Sequence, residues 1–470
     1  MFVSTMVLAR LLTPEMFGLV AMANVALMLM ASLRDVGLGQ AYVQREMGSP
    51  EELRLAANTT FYLMLFTNAV LFVLAASLAP LVGRFFENPE VVPLLRAITL
   101  IFLLEGLISG PSMVLRRRLD FRRLGYAEIG ASLASATVAI SLAILGFKAW
   151  SLVWGQVAGR VVEGSALYWL SGWRPRFEFS SKLARELFGF GKHLWAFSIL
   201  SAVGGVLDRA IVGRTLGAAS LGIYHMGSNL ANLPAQQISF LVNRITFPAL
   251  ARMQGDPARM AAALRKALAH VSIVTLPVTA GLIVAGPQLI GTVYGPRWEA
   301  AVPVLQVLAL FGMTLSISSV TGPIFQAMGR PQVLLFTSIF HQLVYVGLLL
   351  WWGRYGIQGI LWAVVVPVQL SAVIAFVLVL RYLKVSFVWI FGPCLRAATA
   401  AFGMFAALWM VRLFLEATQL LLPIQLVVLA ILGVAIYVGL SFLFNGVASR
   451  EFVDTVRKTI RPDTAAETSA

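Results

Sequence analysis

The chain has 470 residues, of which 59% are hydrophobic and 12% charged, with a mean hydropathy of +0.84. Soluble domains carry about 25% charged residues, so a soluble globular enzyme is excluded. The sole cysteine, Cys394, rules out an intramolecular disulfide and a zinc site built from several thiolates, and the net charge of +15 is distributed as basic loops between apolar runs, the ordinary membrane pattern rather than a nucleic-acid footprint.

A hydrocarbon layer of about 30 Å takes roughly 20 residues of helix to cross, and backbone polar groups in lipid must be paired within their own segment. The sequence therefore predicts an all-α, polytopic membrane protein with about 14 transmembrane helices. In chain order the spans fall near 1–12, 17–33, 57–82, 92–114, 126–147, 149–171, 190–213, 219–243, 268–294, 301–327, 331–352, 357–380, 387–411 and 421–445. The first is short, since its residues rise only about 18 Å, so the chain is expected to begin inside a truncated first helix. With the first end cytoplasmic and the sides alternating, the densest basic clusters all face one side. These are Arg116, Arg117, Arg118, Arg122 and Arg123; then Arg174, Arg176, Lys182, Arg185 and Lys192; then Arg244, Arg252, Arg259, Arg265 and Lys266. The positive-inside rule makes that side, and with it both termini, cytoplasmic.

An internal repeat is legible. VLARLLTPEMFGL from Val7 matches IVGRTLGAASLGI from Ile211, pairing Arg10 with Arg214 and Gly18 with Gly222 at an offset of 204. LAPLVGRFF and VVPLL within Leu78–Leu95 resemble Val284–Leu305, and GFKAWSLV from Gly146 lines up with GIQGILWA from Gly356 at an offset of 210. An even number of helices per repeat makes both halves enter from the same side, related by an axis along the membrane normal. The expected layout is an N-terminal six-helix lobe at 1–171, a cytoplasmic amphipathic linker at 172–189, a C-terminal six-helix lobe at 190–383, two extra helices at 384–446 and a cytoplasmic tail at 447–470. Trp173–Lys192 reads as a short interfacial amphipathic helix.

A charge near the bilayer centre costs about 3 kcal/mol or more, so polar residues within spans are the site candidates. His225, Asn229, Asn232, Gln236 and Asn243 are spaced 4, 3, 4 and 7; at 100° per residue they fall within a sector of about 60°, a polar stripe turned from lipid. Interhelical hydrogen bonding explains such a stripe as well as a ligand does. Gln156, Arg160 and Glu163 share a face, the last two at ion-pairing distance in sequence. Arg34 adjoins Asp35 at the end of the second span, where Asn24, Met28 and Asp35 share a face, and an interfacial pair is the alternative there. Arg10 and Arg214 are repeat-equivalent, with Asp208 and Arg209 just before Arg214. Two such guanidiniums would suit a diphosphate, which Arg grips bidentately, although snorkelling at a helix end places them equally well. His193, His270 and His341 form no metal-ligand spacing. No GxxxxGK[ST] loop occurs, which excludes direct ATP hydrolysis. No loop is long enough to carry an extramembrane catalytic domain. The reading is of a non-enzyme with no cofactor and no metal.

LARLLTPEMFGLVAMA (Leu8–Ala23), DVGLGQAYVQRE (Asp35–Glu46), WRPRFEFS (Trp173–Ser180), FPALARMQGDPARM (Phe247–Met260) and YGPRWEAAVPVLQVLAL (Tyr294–Leu310) resemble segments of the polysaccharide transporter family. These are the Wzx-type oligosaccharide flippases of the multidrug/oligosaccharidyl-lipid/polysaccharide exporter superfamily. The resemblance implies two six-helix lobes around a cationic central cavity, two peripheral helices and alternating access in a bacterial inner membrane. It implies a polyprenyl-diphosphate-linked oligosaccharide as substrate, and the bilayer and other polysaccharide export and assembly proteins as partners, with no nucleic acid. A drug or small-solute antiporter of the same superfamily is the alternative. It would favour unpaired acids, whereas Asp35, Glu163 and Asp208 each have an arginine nearby.

Overall fold

A computed structural model describes residues 2–34, 39, 42, 49–251, 253, 256–418 and 420–460; within its helices the side chains of 187–202, 241, 243–251, 331 and 445–460 are not described. Among the described residues the regular structure is helical throughout, and nine helical stretches are long and apolar enough to cross a membrane. The helices are α1 (Phe2–Leu11), α2 (Pro14–Arg34), α3 (Pro50–Phe85), α4 (Val91–Ile98), α5 (Leu100–Arg117), α6 (Phe121–Ile144), α7 (Ala149–Ser171), α8 (Ser181–Ala251), α9 (Pro257–Val284), α10 (Gly286–Val293), α11 (Val302–Ser318), α12 (Thr321–Ala327), α13 (Pro331–Trp352), α14 (Gly356–Leu383), α15 (Phe387–Ala417) and α16 (Leu422–Ile460).

Local chemistry sets where they start. Ser49 caps α3 by accepting the Glu52 amide at 3.2 Å, with Pro50 as the first helical residue and Glu51 and Glu52 at its positive end. Asp120 and Asp256 cap α6 and α9 in the same way, through the amides of Arg123 and Arg259. The α7 helix stops at Gly172, whose φ of 64° is left-handed.

The chain packs as two units, Met1–His225 and Met226–Ala470, and the boundary falls within α8. In the first unit α6 lies along α7, and α3 along α5. Its packing carries the mark of the repeat. The break between α1 and α2 at Thr13 is matched, 204 residues on, by a kink in α8 at Gly217, whose φ of 80° leaves the helical region. At this place Gly18 faces the carbonyl of Ala218, while Gly222 faces the carbonyl of Pro14. Pro14 and Ala218 are themselves one offset apart, so the two contacts are reciprocal, and each tolerates no side chain.

Residues 172–180 are not helical; helix resumes at Ser181. The expected amphipathic helix over Trp173–Lys192 is thus corrected in its first half, which lies as an extended strap on α3. The Arg176 and Ser180 amides donate to Asn58 Oδ1 (3.2 Å) and Thr59 Oγ1 (3.1 Å), and Glu178 accepts from Arg54 and Asn58 at 3.1 and 3.0 Å. Trp173 meets Phe61 edge-on and Phe177 stacks on Tyr62.

In the second unit α9 packs on α15, α15 on α16, and α13 on α14. One core joins Leu264, Leu268, Val320, Ile324, Phe325 and Val379; another joins Val284, Ala397, Ala400, Met404 and Leu429. A cavity of about 740 Å³ opens among α9, α15 and α16, lined almost wholly by apolar side chains such as Pro277, Leu282, Met404 and Leu429.

Candidate functional site

A second cavity, of about 630 Å³, lies in the first unit and is lined by charge. The α5 helix supplies Glu105, Ser109, Ser112 and Arg116, whose spacings of 4, 3 and 4 put them on one face. Arg34 comes from the last turn of α2, Arg160 and Glu163 from α7, and Met64 and Asn68 from α3. Gly106 lets α3 and α5 approach: a Cβ there would stand 3.1 Å from the Asn68 Cβ and 3.2 Å from the Leu65 Cα.

The charges are linked. Glu105 is paired with Arg34, and its Oε1 lies 3.3 Å from Arg160 Nη2. Arg160 Nη1 donates to Glu163 Oε2 at 2.7 Å. Arg116 donates from Nε to the Ser112 hydroxyl at 3.4 Å. Among the described residues three guanidiniums therefore face two carboxylates in one cavity, a positive bias in which each carboxylate has a cationic partner. Asn68 is almost fully buried and donates to the Met64 carbonyl at 2.8 Å; its Oδ1 accepts no hydrogen bond among the described residues. Guanidiniums that bind oxyanions, beside hydroxyls and an amide that can address hydroxyl groups, equip the cavity for an anionic, hydroxylated ligand.

Of the residues singled out in the sequence, Arg34, Arg160 and Glu163 come together here. Glu105, the hub of the cluster, was missed, although Glu105, Ser109, Ser112 and Arg116 repeat the spacing of His225, Asn229, Asn232 and Gln236. Asp35 lies outside the described residues. Arg214 is elsewhere: its Nη1 donates to the Phe85 carbonyl at 2.6 Å and pairs with Glu87 at 3.0 Å, closing the C-terminal end of α3. Arg10 is exposed in the last turn of α1. Asp208 accepts from the Tyr224 hydroxyl at 2.5 Å, a bond that joins the two halves of α8 across the Gly217 kink. On α8, His225, Asn229 and Asn232 are half-buried and Gln236 is exposed; none of them lines this cavity, and the side chain of Asn243 is among those not described. Asn232 Oδ1 is buried without a donor among the described residues, so part of the stripe has hydrogen-bonding capacity to spare.

The chain as a whole is similar to known proteins. The family described as polysaccharide biosynthesis protein matches residues 7–303. The chain is 27% identical over 346 residues to the lipopolysaccharide biosynthesis protein WzxC of Escherichia coli K12, covering 72% of this chain and 69% of that protein. It is 28% identical over 369 residues to the succinoglycan biosynthesis transport protein ExoT of Rhizobium meliloti, covering 78% and 74%. Among solved structures, the lipid II flippase MurJ in an inward closed conformation superposes with a TM-score of 0.72 at 15% identity, over 94% of this chain and 97% of that one. That last likeness is one of fold alone, that of a polytopic, all-helical membrane protein.

Proposed function

The chain belongs to the polysaccharide biosynthesis protein family, and from that premise we propose that it is a flippase. It carries a polyprenyl-diphosphate-linked oligosaccharide from the cytoplasmic to the periplasmic leaflet of a bacterial inner membrane, for surface polysaccharide assembly. Its role is transport by alternating access rather than catalysis, alongside other export and assembly proteins. The observation that carries this reading is the polar cavity of the first unit, in which Arg34, Arg116 and Arg160 stand among serine hydroxyls and an amide. Diphosphate oxygens take bidentate hydrogen bonds from guanidiniums, and sugar hydroxyls pair with Ser and Asn side chains. A volume of about 630 Å³ lies within the range of about 300–1,000 Å³ typical of small-molecule pockets, enough for the diphosphate and its first sugars. The prenyl chain stays in lipid, since burying it in this polar wall would gain nothing.

An organic-cation exporter would instead use the carboxylates of Glu105 and Glu163, but both are already held by arginines. The test is a leaflet-resolved assay of lipid-linked oligosaccharide in proteoliposomes. The wild type should move it, and Arg34→Ala combined with Arg160→Ala should slow it at least about tenfold, the loss of more than one charge-assisted contact. A double variant that flips at the wild-type rate would remove this cavity from the transport path.

A further inference from the structure

Glu105 joins three helices of the first unit. Its carboxylate, on α5, is reached by Arg34 from α2 and by Arg160 from α7, whereas Glu163 pairs with Arg160 only along their own helix. Glu105 is not sealed in: it lines the polar cavity and keeps 19% of its side-chain surface. An anion entering that cavity meets the same guanidiniums that Glu105 occupies. A carboxylate and a phosphate present oxygens of like spacing to a guanidinium, so they are interchangeable partners for it.

We propose that Glu105 is an internal stand-in for the substrate's phosphate: in the empty site it holds Arg34 and Arg160, and a phosphate group of the lipid headgroup displaces it. The identity of that phosphate as part of a lipid diphosphate rests on the flippase reading. The exchange is favourable because a diphosphate brings more charge and more acceptor oxygens than one carboxylate, while Glu163 keeps Arg160 oriented throughout. It also gives the site a regulatory property. With no anion present, α2 and α7 are both pinned to α5 through one side chain; with a phosphate in place, the pins pass to the ligand. A ligand shifts a conformational equilibrium only through its differential affinity for the two states, and exchanging the Glu105 pin for the ligand is where such a difference can arise. Glu105 is therefore a positioning residue that sets the threshold for entry.

The experiment uses the full-length protein in lipid nanodiscs with inorganic pyrophosphate as the probe, followed by calorimetry. Glu105→Gln removes the competing charge at constant shape and is expected to tighten pyrophosphate binding roughly tenfold. In proteoliposomes the same variant should reach half-maximal flipping at lower lipid-linked oligosaccharide concentration but with a lower maximal rate, because a tighter-held headgroup is released more slowly. A merely structural carboxylate would not lower the half-saturating concentration. If Glu105→Gln fails to fold, Glu105→Asp, which retracts the charge by one methylene, should tighten binding by a smaller factor of about two to three. Pyrophosphate affinity equal to or weaker than wild type in a folded variant overturns the proposal, whether or not lipid is flipped. Tighter pyrophosphate binding with no flipping by either protein would leave the stand-in intact and sink the flippase reading instead.

Discussion

Arg160 stands between two carboxylates, so alanine and lysine at this position should separate stability from recognition. Arg160→Ala leaves Glu105 with one cation fewer and Glu163 with none of the partners seen here. Because Arg160 is 41% exposed, solvent screening keeps the expected loss small, about 1 kcal/mol, read as a modest fall in the thermal midpoint in detergent. Arg160→Lys keeps the charge and should unfold near the wild-type temperature. Yet a lysine cannot present a planar fork to two oxyanions, so the lipid-linked oligosaccharide concentration for half-maximal flipping should rise several-fold. Wild-type half-saturation in the lysine variant would show that a point charge suffices. The individual charges of this cluster are readable in the sequence, because Arg34, Arg160 and Glu163 interrupt apolar runs. The Arg160–Glu163 pair is readable as well, from its spacing along one helix, but nothing in the sequence points Arg34 to Glu105 on another helix. Periodicity shows which residues share a helix face but carries no information on which faces adjoin.

At the scale of elements, the reciprocal glycines make a sharp expectation. A methyl on Gly18 or on Gly222 would meet a main-chain carbonyl rather than a side chain, and a backbone cannot swing aside. Gly18→Ala and Gly222→Ala should therefore each cost about 1–3 kcal/mol, and by about the same amount, since each contact is the image of the other. Gly205→Ala, on the same helix α8 but with open space beside it, should be neutral or slightly stabilising. Thermal unfolding of the three variants decides this; a Gly18→Ala protein as stable as Gly205→Ala would show that the two segments do not touch there. The strap gives a second test. Glu178 ties it to Arg54 and to buried Asn58, so Glu178→Ala should raise proteolytic cleavage within 172–180 several-fold, while an unchanged cleavage rate would assign the strap's hold to its aromatic contacts alone. The extended form is legible in the residue pattern. WRPRFEFS alternates strictly, placing Trp173, Phe177 and Phe179 on one side and Arg174, Arg176 and Glu178 on the other, with Pro175 between. That is a period of two, not of 3.6.

For the molecule as a whole, the repeat and the basic loops together propose one topology, in which both halves enter from the cytoplasm. The matched breaks at Thr13 and Gly217 support the repeat, while the side each loop faces still rests on the positive-inside argument. That argument can be tested with the chain's own chemistry, since Cys394 is its sole cysteine and Cys394→Ser gives a background free of thiols. Leu119 and Phe177 lie beside the basic clusters that should be cytoplasmic, Leu145 lies at the opposite end of the run that follows Leu119, Tyr355 lies between the runs 331–352 and 357–380 at the corresponding place in the second half, and all four side chains are more than half exposed. Leu119→Cys and Phe177→Cys should react with a membrane-impermeant maleimide only after the cells are opened, and Leu145→Cys and Tyr355→Cys in intact spheroplasts. The reverse pattern would invert the protein, placing Arg34 and Arg116 towards the wrong leaflet to receive a cytoplasmic headgroup. Labelling of Leu145→Cys and Tyr355→Cys from different sides would break the equivalence of the two halves, because these residues precede the repeat-related segments that begin at Gly146 and Gly356.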